Sequence, residues 1–211
     1  MGTLVRLDAP VAALADALAD AGFANDEVRV AAALRTEIRF YRANHLRGRD
    51  PGGLAALRTD CAAVLAGGLA AAPPLPELAE ILVGALRFAP FEDVVPLLEA
   101  CRDLGIRTAV VSDWDCALAD QLAEIGIGHL VDAVVTSAEV GVAKPDPRIF
   151  AAALEAVGVR PAAALHVGDD PRRDLAGAEA AGITAVLLDR NDRHADITPR
   201  VETLAAVMGL L

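Results

Sequence analysis

Apolar residues recur at helical spacing through the first part of the chain. In one segment Val30 and Leu34 fall on one face, and Arg35 points away from it. Amphipathic segments of this kind, separated by Gly, Asn and Pro, are typical of a helical bundle. The predicted helices are residues 10–21, 26–45, 53–69 and 75–87. We therefore predict an α-helical domain over residues 9–87.

The pattern changes beyond residue 87 to short β-branched runs, each followed by a helix-compatible stretch. The runs are residues 108–111, 133–136, 163–167 and 184–188, and the helical stretches are 115–125, 147–157, 171–181 and 198–207. This alternation is typical of a parallel sheet with crossover helices. The chain is therefore predicted to have an α/β fold, with the sheet domain over residues 88–211.

Composition narrows the classes of function. The formal charge of −11 and the pI near 4.7 argue against a nucleic-acid partner, because binding to phosphate backbones needs a basic surface. Apolar runs stay below the roughly 20 residues that span a bilayer, so we expect no membrane partner. Arg6, Asp8 and Asp16 interrupt any secretory signal, and we predict a cytoplasmic protein. The three cysteines have no metal-site or disulfide spacing.

Carboxylates gather after the third β-branched run. Gly168 allows a sharp turn, and Asp169, Asp170 and Asp174 then surround a predicted helix start. A single aspartate there would be interpreted as a helix cap. Three together favour a hard-cation site, because Mg²⁺ prefers carboxylate oxygens and water.

Two further polar residues accompany these carboxylates. Lys144 precedes two prolines, Pro145 and Pro147, and Asp146 is the predicted cap of the helix that follows. The rigid setting favours a fixed cation that offsets negative charge, rather than a solvated lysine. Ser112 ends the first run, where its hydroxyl is either a phosphate ligand or a helix cap.

Ser112, Lys144 and Gly168-Asp169-Asp170 with Asp174, in this order and at these intervals, resemble motifs two, three and four of the haloacid dehalogenase superfamily. The resemblance implies a Rossmann-like parallel sheet core with an inserted α-helical cap, which matches the helical block over residues 9–87. Ser112 would bind the phosphoryl group and Lys144 would orient the nucleophile. Asp169 would coordinate Mg²⁺ as cofactor, supported by Asp170 or Asp174. The implied function is a hydrolase acting on a small phosphorylated metabolite through an aspartyl intermediate.

Motif one of the superfamily is where the chain departs from it. Gly2-Thr3-Leu4 resembles the tail of that motif, which makes residues 1–8 a strand remnant or linker and puts the nucleophilic aspartate two residues before Met1. The backbone carbonyl of Met1 would then face the metal, and Thr3 the substrate. Two interpretations compete: a natural start upstream with an intact motif, or a catalytically inactive protein that binds a ligand or partner. We predict that the chain as given is inactive.

Other candidate contacts carry alternatives of their own. Asp113 follows Ser112, as a substrate contact or as the cap of the next helix. Tyr41 and His45 lie in a basic stretch of the helical domain, which is either a substrate-facing surface or a solvated helix face. Dehalogenation ranks below phosphate chemistry, because it needs no metal and the carboxylate cluster predicts one.

The strand that carries motif one in the superfamily lies in the middle of the sheet. Its place here would be between residues 108–111 and 163–167. Unpaired backbone groups on both sides would be costly if buried, at about 1 to 3 kcal/mol each. We expect the gap to be filled by upstream residues, by residues 3–7, or by a second copy of the chain in a homodimer.

Overall fold

The computed structural model describes residues 2–210, and these form two compact units. One unit is Leu7–Ala89, which we call the helical unit. The other joins the residues up to Arg6 to those from Pro90 onward, and we call it the core unit. Each unit has a hydrophobic core of its own.

The helical unit contains four amphipathic helices. They are α1 (Pro10–Asp20), α2 (Glu27–Asn44), α3 (Pro51–Ala66) and α4 (Leu75–Ala85). The carboxylate of Asp26 caps α2 and that of Asp50 caps α3, which satisfies free amide groups at both helix starts. Leu14, Leu57 and Leu78 are fully buried where the four helices pack. Among residues 2–210, no helix is long and apolar enough to cross a membrane.

The core unit alternates strands and helices, as the apolar pattern predicts. Its helices are α5 (Val94–Asp103), α6 (Leu118–Glu124), α7 (Ser137–Val140), α8 (Pro147–Val157) and α9 (Ala176–Ala180). Its main strands are β3 (Ala109–Ser112), β4 (Ala133–Thr136), β5 (Leu165–Gly168), β6 (Thr184–Leu188) and β7 (Arg200–Val201). β3 pairs with β4, and β6 pairs with β5 and β7, in each case parallel. The predicted α/β fold with a parallel-strand core is confirmed.

The last part of the chain differs from the pattern. A helix over residues 198–207 was predicted, but Arg200–Val201 forms β7 and a 3₁₀ helix covers Leu204–Leu210. The amide of Asp189 donates to the Val201 carbonyl at 2.8 Å, which ties this segment to the end of β6. Pairing with a sheet edge has overridden a weak local helical pattern.

No strand pair of the described residues joins β3 to β5. A cavity of about 250 Å³ is lined by residues of both strands and by Thr3, Leu4 and Val5. Of the three ways of filling the gap, the one that uses residues 3–7 is wrong, because Val5–Leu7 (β1) pairs instead with Phe88–Pro90 (β2). The other two stay predictions. Which strand β1 pairs with depends on how the elements of the fold pack, and the local sequence of residues 3–7 does not contain that information.

Candidate active site

Four residues predicted from strand ends line the same cavity of the core unit. Ser112 closes β3, Lys144 precedes α8, and Asp169 and Asp174 follow β5. The carboxyl ends of parallel strands are where open α/β sheets bind ligands. The structure therefore brings together side chains that are up to 62 residues apart, from Ser112 to Asp174.

Lys144 and Asp174 form a buried ion pair at the centre of this group. The Lys144 Nζ donates to Asp174 Oδ1 at 2.6 Å and to the Val111 carbonyl at 3.3 Å. The other oxygen of Asp174 accepts the amide of Asp170 at 3.0 Å. Only 13% of the Lys144 side chain and 5% of the Asp174 side chain are exposed. The ammonium group is therefore held at a defined position.

The protonation of Asp174 follows from its surroundings. Burial by itself would raise the pKa of this carboxyl. A hydrogen bond from His166 and the positive charge of Lys144 outweigh burial, and together they hold the pKa well below its usual range. Asp174 is therefore a carboxylate at neutral pH, with its negative charge directed at Lys144.

Two glycines permit this close packing. A Cβ on Gly168 would overlap the side chain of Asp174. A Cβ on Gly177 would lie 2.6 Å from a ring carbon of Phe150 and 3.0 Å from the Pro145 backbone. Each larger residue would push the helix segment after β5 away from the loop that carries Lys144.

The loop before α8 has the predicted rigid form. Asp146 caps α8 by accepting the amide of Arg148 at 3.0 Å, as the sequence predicts. Its carboxylate also pairs with the Arg148 guanidinium at 2.7 Å. The chain after Lys144 is thereby fixed to the helix start.

Asp169 is enclosed by the N-terminal segment of the core unit. Thr3 Oγ1 donates to Asp169 Oδ1 at 2.6 Å. Gly2 has a φ of 105°, and a Cβ there would overlap the Asp169 carboxylate. Only a glycine at this position allows the segment to lie so close to Asp169, and Thr3 donates to one of the two carboxylate oxygens. Because Mg²⁺ is commonly held by one or two carboxylates with water and substrate oxygens, this carboxylate suits Mg²⁺.

The other predicted metal ligands have different partners. Asp170 Oδ1 accepts the amides of Arg172 and Arg173 at 2.9 Å and 3.1 Å, so this side chain caps the segment after it. Both oxygens of Asp174 are occupied by protein donors. Within residues 2–210 no group of three metal-binding side chains surrounds one point. The Met1 carbonyl lies outside the described residues.

Asp113 connects the end of β3 to the loop that carries Lys144. Its Oδ1 accepts the Lys144 amide at 2.8 Å, and its Oδ2 lies 3.3 Å from a guanidinium nitrogen of Arg173. The interpretation of Asp113 as a helix cap is wrong, because Asp115 Oδ1 accepts the amide of Ala117 at that turn. Arg173, to which the sequence assigned no role, thus offsets the charge of Asp113 beside the cavity.

His166 is a site residue that sequence reasoning missed. Its Nε2 lies 3.4 Å from Asp174 Oδ1, and its ring meets the Phe150 ring edge-on with centroids 5.0 Å apart. It also lines the cavity. Because His166 lies within β5, the sequence pattern identified it only as part of a strand. Its contact with Asp174 depends on the turn at Gly168, and the strand pattern does not predict that turn.

Tyr41 and His45 belong to the helical unit. Tyr41 packs against the core of that unit. His45 is 5% exposed, and its Nδ1 lies 2.9 Å from the Arg42 carbonyl. In the surrounding basic stretch Arg47 pairs with Asp60 at 2.6 Å. Their predicted role as substrate contacts stays a prediction.

Comparison with known proteins agrees with the geometry of the core unit. The sequence model of the haloacid dehalogenase-like hydrolases matches residues 2–182. A glyceraldehyde 3-phosphate phosphatase of Methanopyrus kandleri is 38% identical over 61% of this chain and 58% of its own length. A phosphoserine phosphatase of Thermus thermophilus is 38% identical over 57% of this chain and 49% of its own length. The chain thus aligns with about half the length of these curated relatives.

Solved structures resemble the chain over its whole length. The magnesium-bound YfnB hydrolase of Bacillus subtilis covers 99% of this chain, and the chain covers 94% of it, with a TM-score of 0.75 and 16% identity. The L-2-haloacid dehalogenase of Xanthobacter autotrophicus has a TM-score of 0.69 and 24% identity, covering 100% of this chain and 94% of its own. At these identities the likeness shows the fold and leaves the substrate class open.

Proposed function

Because the chain belongs to the haloacid dehalogenase-like hydrolases, we propose that its core unit serves Mg²⁺-dependent hydrolysis of a small phosphate monoester. The observation that carries the proposal is the grouping of Ser112, Lys144 and Asp169 around one cavity. A hydroxyl donor, a fixed cation and a metal-binding carboxylate are the groups that a phosphoryl group requires.

Each residue has a task in this proposal. Ser112 donates a hydrogen bond to a phosphoryl oxygen, and the ammonium group of Lys144 attracts the phosphoryl charge. Asp174 holds Lys144 in place through the 2.6 Å ion pair. Asp169 would hold Mg²⁺, which would offset further negative charge on the phosphoryl oxygens.

The covalent step of the proposal needs a carboxylate that faces the phosphorus atom. Both oxygens of Asp174 accept protein donors, and Asp113 pairs with Arg173, so neither is placed to attack. The superfamily pattern puts the nucleophile two residues before Met1. An aspartate there would attack phosphorus, release the alcohol and be regenerated when water hydrolyses the acyl phosphate.

Phosphate chemistry is favoured over dehalogenation by two features. The relatives that align at 38% identity are named as phosphatases of phosphorylated small molecules. In addition, Asp169 lines the cavity together with Ser112 and Lys144, and its carboxylate would hold a cation that a dehalogenase does not need.

The test compares the 211-residue chain with a chain lengthened at its N-terminus by an apolar strand that ends in Asp at the second position before Met1. Phosphate release would be measured with Mg²⁺ on a panel of phosphate monoesters that includes glyceraldehyde 3-phosphate and phosphoserine. We expect negligible release by the 211-residue chain and turnover by the lengthened one. Asp169→Asn in the lengthened chain should reduce turnover by about 100-fold or more. Loss of a residue that only orients a metal ligand costs about 10- to 100-fold, and Asp169 would bind the metal directly.

Three results would each contradict one part of this proposal. Robust turnover by the 211-residue chain that Asp169→Ala abolishes would show that the alignment of Met1 with motif one is wrong. Metal-independent chloride release from 2-chloropropionate would favour dehalogenation. Absence of turnover in the lengthened chain, with phosphate monoesters still bound, would favour the inactive ligand-binding alternative.

A further inference from the structure

Arg190 makes an unusually complete set of contacts just beyond β6. Its guanidinium donates to both oxygens of Asp93, at 2.9 Å and 2.8 Å. It also donates to the carbonyls of Gly2 and Thr3, at 3.2 Å and 3.0 Å. The group lies 4.0 Å from the centroid of the Phe91 ring, and 16% of the side chain is exposed. Every nitrogen of the fork is thus used.

Asp93 and Phe91 hold Arg190 at this position. One oxygen of Asp93 also accepts the amide of Leu204 at 2.8 Å, so the carboxylate is fixed from two sides. The Phe91 amide donates to the Leu4 carbonyl at 3.0 Å. Because a guanidinium is planar, it can stack on the ring and form its bidentate pair at the same time. An ammonium group cannot reproduce this geometry.

The segment that Arg190 holds is the one that encloses Asp169. The carbonyls of Gly2 and Thr3 are tied to Arg190, while the Thr3 hydroxyl donates to Asp169 Oδ1. The contacts therefore form a continuous path from Asp93 through Arg190 and Thr3 to Asp169.

We propose that Arg190 is a positioning residue for the metal-binding carboxylate, acting through Gly2 and Thr3. Arg190 keeps the Thr3 hydroxyl on Asp169 Oδ1 and thereby fixes the orientation of the carboxylate. Without Arg190 the segment moves away, and Asp169 loses both its hydrogen bond and its preferred orientation. This inference rests on the Mg²⁺ site of the proposed function.

Metal binding by the 211-residue protein tests this role without any need for turnover. Binding of Mn²⁺ would be followed through the EPR signal of the free ion, with Mg²⁺ as competitor. We expect Arg190→Met to raise the Mn²⁺ dissociation constant by about 10-fold, the lower end of the range for groups that orient a metal ligand. Arg190→Lys should give an intermediate value, because one ammonium can bind Asp93 but cannot hold both carbonyls.

A double-mutant cycle with Thr3→Val separates positioning from general loss of stability. If Arg190 acts through Thr3, the double variant should bind Mn²⁺ no more weakly than the weaker single variant. Arg200→Met is the matched control, since Arg200 is a similarly buried arginine that pairs with Asp189 and Asp192. It should lower the melting temperature and leave the dissociation constant unchanged. Should Arg190→Met fail to fold, Arg190→Lys and Thr3→Val provide the same comparison.

The outcomes distinguish this inference from the proposed function. Absence of Mn²⁺ and Mg²⁺ binding in the unmodified protein would overturn both. Metal binding by the unmodified protein with an unchanged dissociation constant in Arg190→Met would overturn the role of Arg190 alone. Equal weakening in Arg200→Met, or additive effects of the Arg190 and Thr3 variants, would reduce Arg190 to a structural residue.

Discussion

At the scale of single residues, the site depends on charges that are buried only because each has a partner. Lys144 and Asp174 are removed from water together, and each oxygen of Asp174 has a donor. A buried ion pair adds little net stability compared with apolar residues, but loss of one partner leaves an uncompensated charge. The pair is therefore better explained by the position it gives to Lys144 than by stability.

The Lys144–Asp174 pair leads to a prediction about stability. Asp174→Asn should lower the free energy of unfolding by about 3 kcal/mol or more, because Lys144 is left buried without its carboxylate. The double variant Asp174→Asn with Lys144→Met should lose less than the single one. Urea unfolding followed by circular dichroism measures both. Asp60→Asn, in the half-exposed pair with Arg47, is the control and should change stability by less than about 1 kcal/mol. Equal losses in the single and double variants would contradict the explanation.

Glu37 gives a second prediction at this scale, in the helical unit. This residue of α2 is 3% exposed, and burial raises its pKa above the ordinary 4.5 despite a hydrogen bond from Cys61. The folded state therefore holds the proton more tightly than the unfolded state does. Stability should fall as the pH rises from about 4.3, the usual pKa of an unfolded glutamate, through the folded pKa.

Glu37→Gln should remove this contribution, because the amide resembles the protonated acid at every pH. The measurement is the free energy of unfolding of both proteins between about pH 4 and about pH 7, where the variant should gain stability relative to the unmodified protein as the pH rises. Glu80→Gln, on an exposed position of α4, should follow the unmodified protein instead. A constant difference between Glu37→Gln and the unmodified protein over this range would show that Glu37 does not bind a proton on folding.

At the scale of elements, the sheet of the core unit consists of two separate parts. β3 and β4 form one, and β5, β6 and β7 form the other. β3 and β5 are not paired with each other among the described residues, although both line the cavity and contribute residues to the candidate site. Parallel strands have backbone groups on both edges, and buried groups without partners are unfavourable. These facing edges are the part of the fold that another extended segment would stabilise most.

At the scale of the whole molecule, these edges lead to a prediction about concentration. A strand from a second copy would pair with them, so the melting temperature of the 211-residue chain should rise with protein concentration. The lengthened chain described above should melt at a higher temperature that does not depend on concentration, because its own strand would pair with the edges of β3 and β5. Calorimetry over about a 100-fold range of protein concentration would measure this dependence of the melting temperature. A constant melting temperature for the 211-residue chain would show that the unpaired strand edges do not require a second copy of the chain.

The amino-acid sequence by itself determined the fold class and most of the helices and strands. The change from helical to strand periodicity near residue 87 separates two kinds of structure, and hydrophobic periodicity is a property of neighbouring residues. The candidate residues Ser112, Lys144 and Asp169 could also be identified from the sequence, because strands of a parallel sheet present their carboxyl ends on one side. Short-range rules were sufficient for each of these.

Only the tertiary structure decided which distant groups meet. Arg190 and Asp93 are 97 residues apart, and Thr3 and Asp169 are 166 apart, so no local pattern relates them. The same holds for the failure of β3 and β5 to pair. Hydrogen bonds and ion pairs require approach within about 3 to 4 Å, and that approach is a result of how whole elements pack. The sequence thus indicated the chemistry of the site, while packing determined which carboxylate each cation and hydroxyl serves.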